Sequence, residues 1–137
     1  MGTLICEIVT PERLVFSEEV YFVSVPATEG DVGMLVRRAP FMSTLRCGVV
    51  RVKKEENSEA IPFAVAGGYV ETDGHKVVVL ADRAEVIGKL DLESVREARA
   101  DNEKKLATIS EDDSRAAFFR DEVTWYTLLE TQLTQKH

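Results

Sequence analysis

The chain has 137 residues, 45% of them hydrophobic, so it is long enough to bury a core and too apolar to be disordered throughout. It carries 24 acidic and 17 basic residues, a formal net charge of −7, which argues against nucleic acid as a partner. No apolar run approaches the ~20 residues that a membrane-spanning helix needs.

The two cysteines are isolated in the sequence. Cys6 and Cys47 form no C-x-x-C pair and lie in apolar, strand-like runs, so we expect them to be reduced core thiols. The N-terminus lacks the basic region and the long apolar region of a cleaved secretion signal. Together these features predict a cytosolic chain.

Residues 1–87 are predicted to form one β domain. Short β-branched and aromatic runs alternate with turn residues, and the clearest are residues 4–9, 20–25, 48–52, 61–65, 69–72 and 75–80. Asp73-Gly74 supplies the positive φ angles of a two-residue hairpin turn. Because no helix separates these strands, a parallel sheet is disfavoured. We predict an α+β protein that begins with an antiparallel β-sandwich or barrel of about eight to ten strands.

Residues 88–137 are predicted to form an antiparallel hairpin of two helices. Asp91 is a good N-cap for the first helix. A narrow apolar stripe follows at helical spacing, with Asn102 as a polar member, and its apolar members are Leu92, Val95, Ala98, Leu106 and Ile109. Ser110 and Asp113 resemble a capping box, with Asp in place of Glu, at the start of the second helix. The polar turn between the helices is short, which predicts that they pack against each other.

The second helix has a broad apolar face. Its members occupy roughly half of the circumference at about 100° per residue, and they are Phe118, Phe119, Val123, Trp125, Tyr126, Leu129 and Leu133. The first helix is too thin to cover this face alone, because Ala98 lies in the middle of its stripe. We therefore expect the face to lie against the β domain or against another chain.

The stretch from Thr28 to Gly33 has the composition of a ligand loop but not its pattern. It lacks the Lys followed by Ser or Thr of a phosphate-binding P-loop. Glu29 and Asp31 are followed by apolar and basic residues, and not by the further oxygen ligands of a calcium loop. The two histidines, His75 and His137, belong to no nucleophile motif. The residues alone therefore predict no catalytic residue, no metal and no required cofactor, and they favour a free-standing β-sandwich adaptor whose helical hairpin binds a partner.

Five fragments, in order, resemble the epsilon subunit of bacterial F-type ATP synthase. They are similar to the family segments V-x-P-x-x-x-x-F-S, V-P-G-x-E-G-x-x-G, A-P-L-L, S-G-G-x-x-E and V-T-V-L-A-D-x-A-E, and they occupy residues 9–17, 25–33, 39–40, 66–71 and 77–85. The resemblance implies a non-catalytic rotor subunit in the central stalk of a proton-translocating complex. It also implies a peripheral location at the cytoplasmic face of the bacterial cell membrane, with membrane association only through the complex.

The resemblance further implies partners and surfaces. In the family, the β domain couples the gamma subunit to the c-ring, and the hairpin can extend into the alpha/beta catalytic hexamer and suppress ATP hydrolysis. The implied docking loop for the c-ring and gamma comprises Thr28, Glu29, Gly30, Asp31, Arg37 and Arg38. Arg37-Arg38 replaces the usual Gly-His of the family, so this corner is more basic. The apolar face of the second helix is the implied regulatory surface, an element with two alternative partners.

Two departures from the family bear on regulation. In many members the first helix opens with I/L-D-x-x-R-A, which takes part in ATP binding, whereas here Ser94 and Val95 replace the Arg and the Ala. Since the lost Arg is a bidentate phosphate partner, ATP is expected at most as a regulatory ligand. The remaining candidate contacts are Glu85, Leu90, Asp91, Arg96 and Arg99. Residues 111–137 contain six acids and three bases, net −3, so this helix is poorly charged for the family's inhibitory contact, and weak or differently built inhibition is expected.

Overall fold

The computed structural model describes residues 2–135, so Lys136 and His137, which entered the charge count and the histidine search, lie outside the described residues. The chain divides into two compact units, Met1–Val86 and Ile87–His137. The predicted β-sandwich followed by a two-helix hairpin is confirmed.

The first unit contains ten strands in two five-stranded sheets. In chain order they are β1 (Leu4–Val9), β2 (Leu14–Val20), β3 (Phe22–Ala27), β4 (Gly30–Met34), β5 (Phe41–Thr44), β6 (Gly48–Lys53), β7 (Ile61–Ala66), β8 (Tyr69–Thr72), β9 (Lys76–Leu80) and β10 (Arg83–Val86). The first sheet has the order β2-β1-β9-β8-β5, and the second has the order β10-β7-β6-β3-β4.

The core lies between the two sheets and is rich in valine. Along β1, Leu4, Cys6 and Ile8 are buried while Ile5 is exposed, the alternation expected of a strand with one packed face. Phe63 is the largest fully buried side chain, and Phe16 packs edge-on against it with ring centroids 5.2 Å apart. The valines that belong to this core, whose β-branched side chains suit strands, are Val20, Val23, Val25, Val50, Val52, Val65, Val70, Val77 and Val79.

One strand pair departs from the antiparallel pattern of the sandwich. β1 and β9 pair in parallel, from Ile5 opposite Lys76 to Val9 opposite Leu80, inside the first sheet. Parallel neighbours need a long connection, and the seven strands from β2 to β8 provide it without a helix. Every other strand pair of the two sheets is antiparallel, so the prediction of an antiparallel sandwich is confirmed.

The hairpin turn between β8 and β9 lies one residue later than predicted. The Asp73 N–H donates to the carbonyl of Lys76 at 3.3 Å, so the central residues are Gly74 and His75. Gly74 has φ +95, as a tight hairpin turn requires at its first central position. The Asp73 carboxylate accepts from the N–H groups of His75 at 2.8 Å and Lys76 at 2.9 Å, which lowers the pKa of Asp73. Asp73 thus begins the turn by capping it and does not occupy its centre.

The second unit contains a short 3-10 helix (Ile87–Lys89) and two α-helices, α1 (Leu92–Ala107) and α2 (Ala116–Thr134). The predicted N-cap of α1 is confirmed, because the Asp91 carboxylate accepts from the Ser94 N–H at 3.0 Å.

The capping box predicted for α2 is wrong. The Ser110 hydroxyl accepts from the Asp112 N–H at 3.2 Å, and the Asp113 carboxylate accepts from the Arg115 N–H at 2.9 Å. These bonds stabilise two turns that precede the helix. α2 then begins at Ala116, and the side chain of its N-cap residue Arg115 makes no capping hydrogen bond.

Candidate docking surface

β3 and β4 are joined by a two-residue turn, Thr28-Glu29, at one end of the second sheet. Gly30 follows with φ +143, a conformation that side-chain-bearing residues rarely adopt. The Thr28 N–H donates to the carbonyl of Thr44 at 2.9 Å, and the Thr28 hydroxyl donates to the same oxygen at 3.0 Å. Residues 28–31, hereafter the acidic turn, are therefore fixed to the end of β5.

The two acids of the acidic turn are not equivalent. Arg46 donates one guanidinium nitrogen to the Asp31 carboxylate and another to the carbonyl of Ala27 at 2.7 Å, so the chain itself neutralises Asp31. Glu29 is exposed and has no ion pair among the described residues. Glu29 is therefore the acid of this turn that a basic partner can reach.

Arg37 and Arg38 do not join the acidic turn. They follow Met34 at the opposite end of β4, where the Arg37 N–H donates to the carbonyl of Gly74 at 2.6 Å. The structure therefore separates the six residues predicted as one docking loop into two places, one at each end of β4.

An apolar row crosses the outer surface of the first sheet. Leu14 lies opposite Val9, Val9 opposite Leu80, and Leu80 opposite Tyr69, so the row spans four strands. Leu14 is 58% exposed and Tyr69 is 41% exposed. Thr44 comes next in register after Tyr69, and Thr44 also holds the acidic turn. The apolar row and the acidic turn therefore lie at the same end of the sandwich.

Sequence reasoning missed the apolar row. Val9 and Leu80 become neighbours only through the parallel pairing of β1 with β9, which was not expected. Two further apolar side chains are exposed on the same outer surface, Ile5 at 43% and Met42 at 66%. The one signal in the sequence was that every second side chain of β1 and β8 should face solvent, and some of these side chains are apolar.

Three of the five candidate ATP contacts already have partners in their own unit. In the first unit, the Glu85 carboxylate lies 3.9 Å from a guanidinium nitrogen of Arg13. In the second unit, Asp91 caps α1 and the Leu90 N–H donates to the carbonyl of Ile87 at 3.1 Å.

The other two candidates, Arg96 and Arg99, converge on one carboxylate of α2. Arg96 donates from Nε to Glu130 Oε2 at 2.9 Å, and Arg99 Nη1 contacts Glu130 Oε1. The Glu130 side chain is only 17% exposed, so the carboxylate is largely shielded from water. These three residues, hereafter the Glu130 cluster, join α1 to α2.

The predicted apolar face of α2 is mostly covered in this conformation. Trp125 and Leu129 are buried at 3% and 2% exposure, and Phe118 is the only exposed member at 59%. The remaining members, which are half-buried, are Phe119, Val123, Tyr126 and Leu133. Lys105 of α1 approaches the Phe119 ring to 5.9 Å from its centroid.

Within residues 2–135, no helix combines the length and hydrophobicity needed to cross a membrane. In the same part of the chain, no group of His, Cys, Asp and Glu side chains is arranged to hold a metal ion.

The family described as "ATP synthase, Delta/Epsilon chain, beta-sandwich domain" matches residues 3–87, which is the whole strand-bearing unit. The chain belongs to the ATP synthase delta/epsilon family. The ATP synthase epsilon chain of Desulforudis audaxviator (strain MP104C) is 44% identical over 100 residues, 73% of this chain and 72% of that one. The epsilon chain of Alkalilimnicola ehrlichii (strain ATCC BAA-1101 / DSM 17681 / MLHE-1) is 43% identical over 107 residues, 78% of this chain and 76% of that one.

Two solved assemblies contain chains of the same fold. One is the Euglena gracilis mitochondrial ATP synthase, OSCP/F1/c-ring, with a TM-score of 0.79 at 18% identity, covering 97% of this chain and 82% of that one. The other is the Tetrahymena thermophila mitochondrial ATP synthase central stalk/c-ring, with a TM-score of 0.61 at 16% identity and 96% coverage of both chains.

Membership in this family tests the prediction that the chain is a stalk subunit. The chain is a non-catalytic stalk subunit of ATP synthase, a membrane-associated complex. This relationship confirms two predictions, a rotor-stalk role and the lack of enzymatic activity of its own. It gives no support to the alternative hypothesis of a free-standing adaptor.

Proposed function

We propose that the β-sandwich of this epsilon-family chain docks between the gamma subunit and the c-ring, at the cytoplasmic face of a bacterial membrane. Rotation of the ring would then be transmitted through the sandwich to the central stalk. The epsilon-chain relatives support this proposal, as do the two assemblies that contain chains of similar fold, since both assemblies include a c-ring.

The observation that carries the proposal is the apolar row beside the acidic turn. Solvent-facing apolar rows that cross several strands are typical of surfaces that a partner covers. Leu14 and Tyr69 are each about half exposed, and covering them contributes about 1 kcal/mol each. Glu29 adds an uncompensated charge at the same end, which complements basic groups on loops of the ring.

The Glu29→Lys variant tests this surface most cleanly, because it leaves the Asp31–Arg46 pair intact. We expect weaker assembly with the c-ring and reduced coupling between proton flow and ATP hydrolysis, with a larger loss in Glu29→Lys/Asp31→Lys. The matched control is Glu55→Lys/Glu56→Lys, a change of two exposed acids in the β6–β7 turn at the opposite end of the second sheet. Unchanged assembly and coupling in both acidic-turn variants would contradict the assignment.

We propose that the helical hairpin regulates ATP hydrolysis only weakly. Residues 111–137 carry a net charge of −3, which disfavours contact with an acidic segment of the catalytic hexamer. The Glu130 cluster also stabilises the closed hairpin, so an extended state must first break it. Truncation after Gly88 is expected to change the ATPase activity of the assembled complex by less than about twofold, the result for a regulator that contributes under ~0.4 kcal/mol. A rise of several-fold would show that the hairpin does inhibit.

We propose that ATP is not required as a ligand, because Glu130 already pairs with the two arginines that a nucleotide phosphate would need. A phosphate group has to compete with a nearly buried carboxylate for Arg96 and Arg99. In a titration with Mg-ATP followed by calorimetry, we expect no heat of binding for the unaltered chain. Binding in the micromolar range would refute this proposal.

A further inference from the structure

A depression of about 410 Å³ lies beside the loop that follows β4. Phe22 forms part of its lining, and Gly33 allows this, since a Cβ at Gly33 would come within 2.9 Å of the Phe22 ring. Leu35 and Val36 add apolar surface, and Arg37, Arg38 and Ala39 complete the lining. The depression therefore combines an apolar lining with two arginines that are consecutive in the sequence, and we call it the arginine pocket.

The loop holds Arg37 in a conformation that usually requires glycine. Arg37 has φ +70 and is the one non-glycine residue with positive φ among those the structure describes. For a residue with a side chain this conformation costs roughly 1–2 kcal/mol. The Arg37 N–H is fixed to the carbonyl of Gly74, so the strain is maintained by the neighbouring turn.

Arg38 is oriented but not neutralised. Its guanidinium carbon lies 5.0 Å from the centroid of the Phe41 ring, a cation–π contact that holds the group against the ring. Its Nε is buried and has no hydrogen-bond acceptor. The residue as a whole is half-buried, so an anion binds the part of the guanidinium that faces solvent.

Neither arginine has an acidic partner in the described part of the chain, whereas several other bases are paired. The whole chain has a net charge of −7, so two adjacent uncompensated cations are unusual on its surface. Charge complementarity therefore favours an anionic ligand at the arginine pocket, and the apolar lining favours one that also presents an apolar group.

We propose that the arginine pocket receives a carboxylate from an acidic segment of the stalk subunit that binds this chain, with an apolar neighbour of that carboxylate against Phe22 and Leu35. This second anchor rests on the proposed function, in which the acidic turn faces the ring. The pocket is at the other end of β4, five residues or roughly 15 Å away, which places it away from the membrane surface. A protein carboxylate is therefore favoured over a phospholipid headgroup.

The test measures binding of the full-length chain to purified gamma subunit by calorimetry at two salt concentrations. Arg37→Gly/Arg38→Gln removes both charges, and the glycine suits the positive φ, so the fold is expected to persist. We expect about a tenfold loss of affinity and a weaker salt dependence than for the unaltered chain. Arg37→Lys/Arg38→Lys is expected to retain most of the affinity. The matched control, Lys104→Gln/Arg120→Gln, removes two exposed charges from the helices and is expected to bind normally.

The outcomes separate this inference from the proposed function. If the unaltered chain binds gamma and Arg37→Gly/Arg38→Gln binds equally well, the arginine pocket is not a docking site and the proposed function stands. If the unaltered chain does not bind gamma, the proposed function itself fails.

A photo-crosslinker in place of Ala39, which lines the pocket, identifies the occupant. Crosslinks to an acidic gamma peptide would support the inference, and crosslinks to a basic peptide would overturn it. Binding to phosphatidylglycerol vesicles that is lost in Arg37→Gly/Arg38→Gln would also overturn it, in favour of a lipid headgroup.

Discussion

The Glu130 cluster predicts a measurable energetic link between α1 and α2. Replacing Glu130 with Gln leaves Arg96 and Arg99 facing each other with no carboxylate between them. Hydrogen bonds to charged groups contribute about 1.5–3 kcal/mol, and fully exposed ion pairs about 0.2–1 kcal/mol. Glu130 is 17% exposed, Arg99 35% and Arg96 48%, so the cluster lies between these limits. We therefore expect Glu130→Gln to lower the free energy of unfolding by about 1–2 kcal/mol.

A double-mutant cycle isolates this contribution. Glu130→Gln, Arg99→Gln and the double variant are unfolded in urea and followed by the fluorescence of Trp125, the single tryptophan of the chain, which is buried in α2. We expect a coupling energy of about 1 kcal/mol that shrinks in 1 M salt. The control is Glu97→Gln, an exposed acid of α1 that is expected to change stability by less than about 0.5 kcal/mol. A coupling energy below about 0.3 kcal/mol would refute the reasoning, because the contacts would then be no stronger than the error of additivity.

Three further outcomes are expected. Gly68→Ala should destabilise the chain by more than about 3 kcal/mol in urea unfolding, because φ is +88 and the new Cβ would lie 1.8 Å from the Leu80 carbonyl oxygen. Gly88→Ala should change stability little, because a Cβ at Gly88 would have open space around it. Equal effects of the two substitutions would contradict this account. At pH 8 a thiol reagent should modify half-buried Cys47 and spare Cys6 until the chain unfolds; simultaneous modification would contradict the burial of Cys6. Burial, with a smaller effect of neighbouring Glu7, raises the pKa of Cys6 from 9.0 to about 12. Since the thiol therefore ionises first in the unfolded chain, the free energy of unfolding should fall as pH rises from 9 toward 12, and this fall should be absent in Cys6→Ala.

The sandwich could be predicted from the sequence because the residue pattern within each strand is enough to identify that strand. Alternation along β1 and the run of valines in β9 each define a strand with a buried face, and the sandwich is what such strands can form together. The parallel pairing of β1 with β9 could not be predicted in this way, since it depends on where two distant segments meet. The apolar row follows from that pairing, so it was missed for the same reason.

The helical unit shows where local rules compete. Asp91 caps α1 as predicted, because the Ser94 N–H is within reach of its carboxylate. Ser110 and Asp113 have the spacing of a cap, but each binds a nearer N–H in a turn before α2. Arg96 and Arg99 could be identified as phosphate candidates from charge alone. Their actual partner, Glu130, is 31 residues from Arg99 and is brought to them only by the packing of the hairpin.

The most direct measurement of the central claim is complex formation between this chain and the gamma subunit of the same organism. The two purified proteins are mixed and examined by analytical ultracentrifugation, first alone and then with the detergent-solubilised c-ring. The account predicts a one-to-one complex with gamma that then associates with the ring, and weaker ring association for Glu29→Lys. Separate sedimentation of the chain and gamma at micromolar concentration would contradict the claim that this chain is a stalk subunit that couples gamma to the ring.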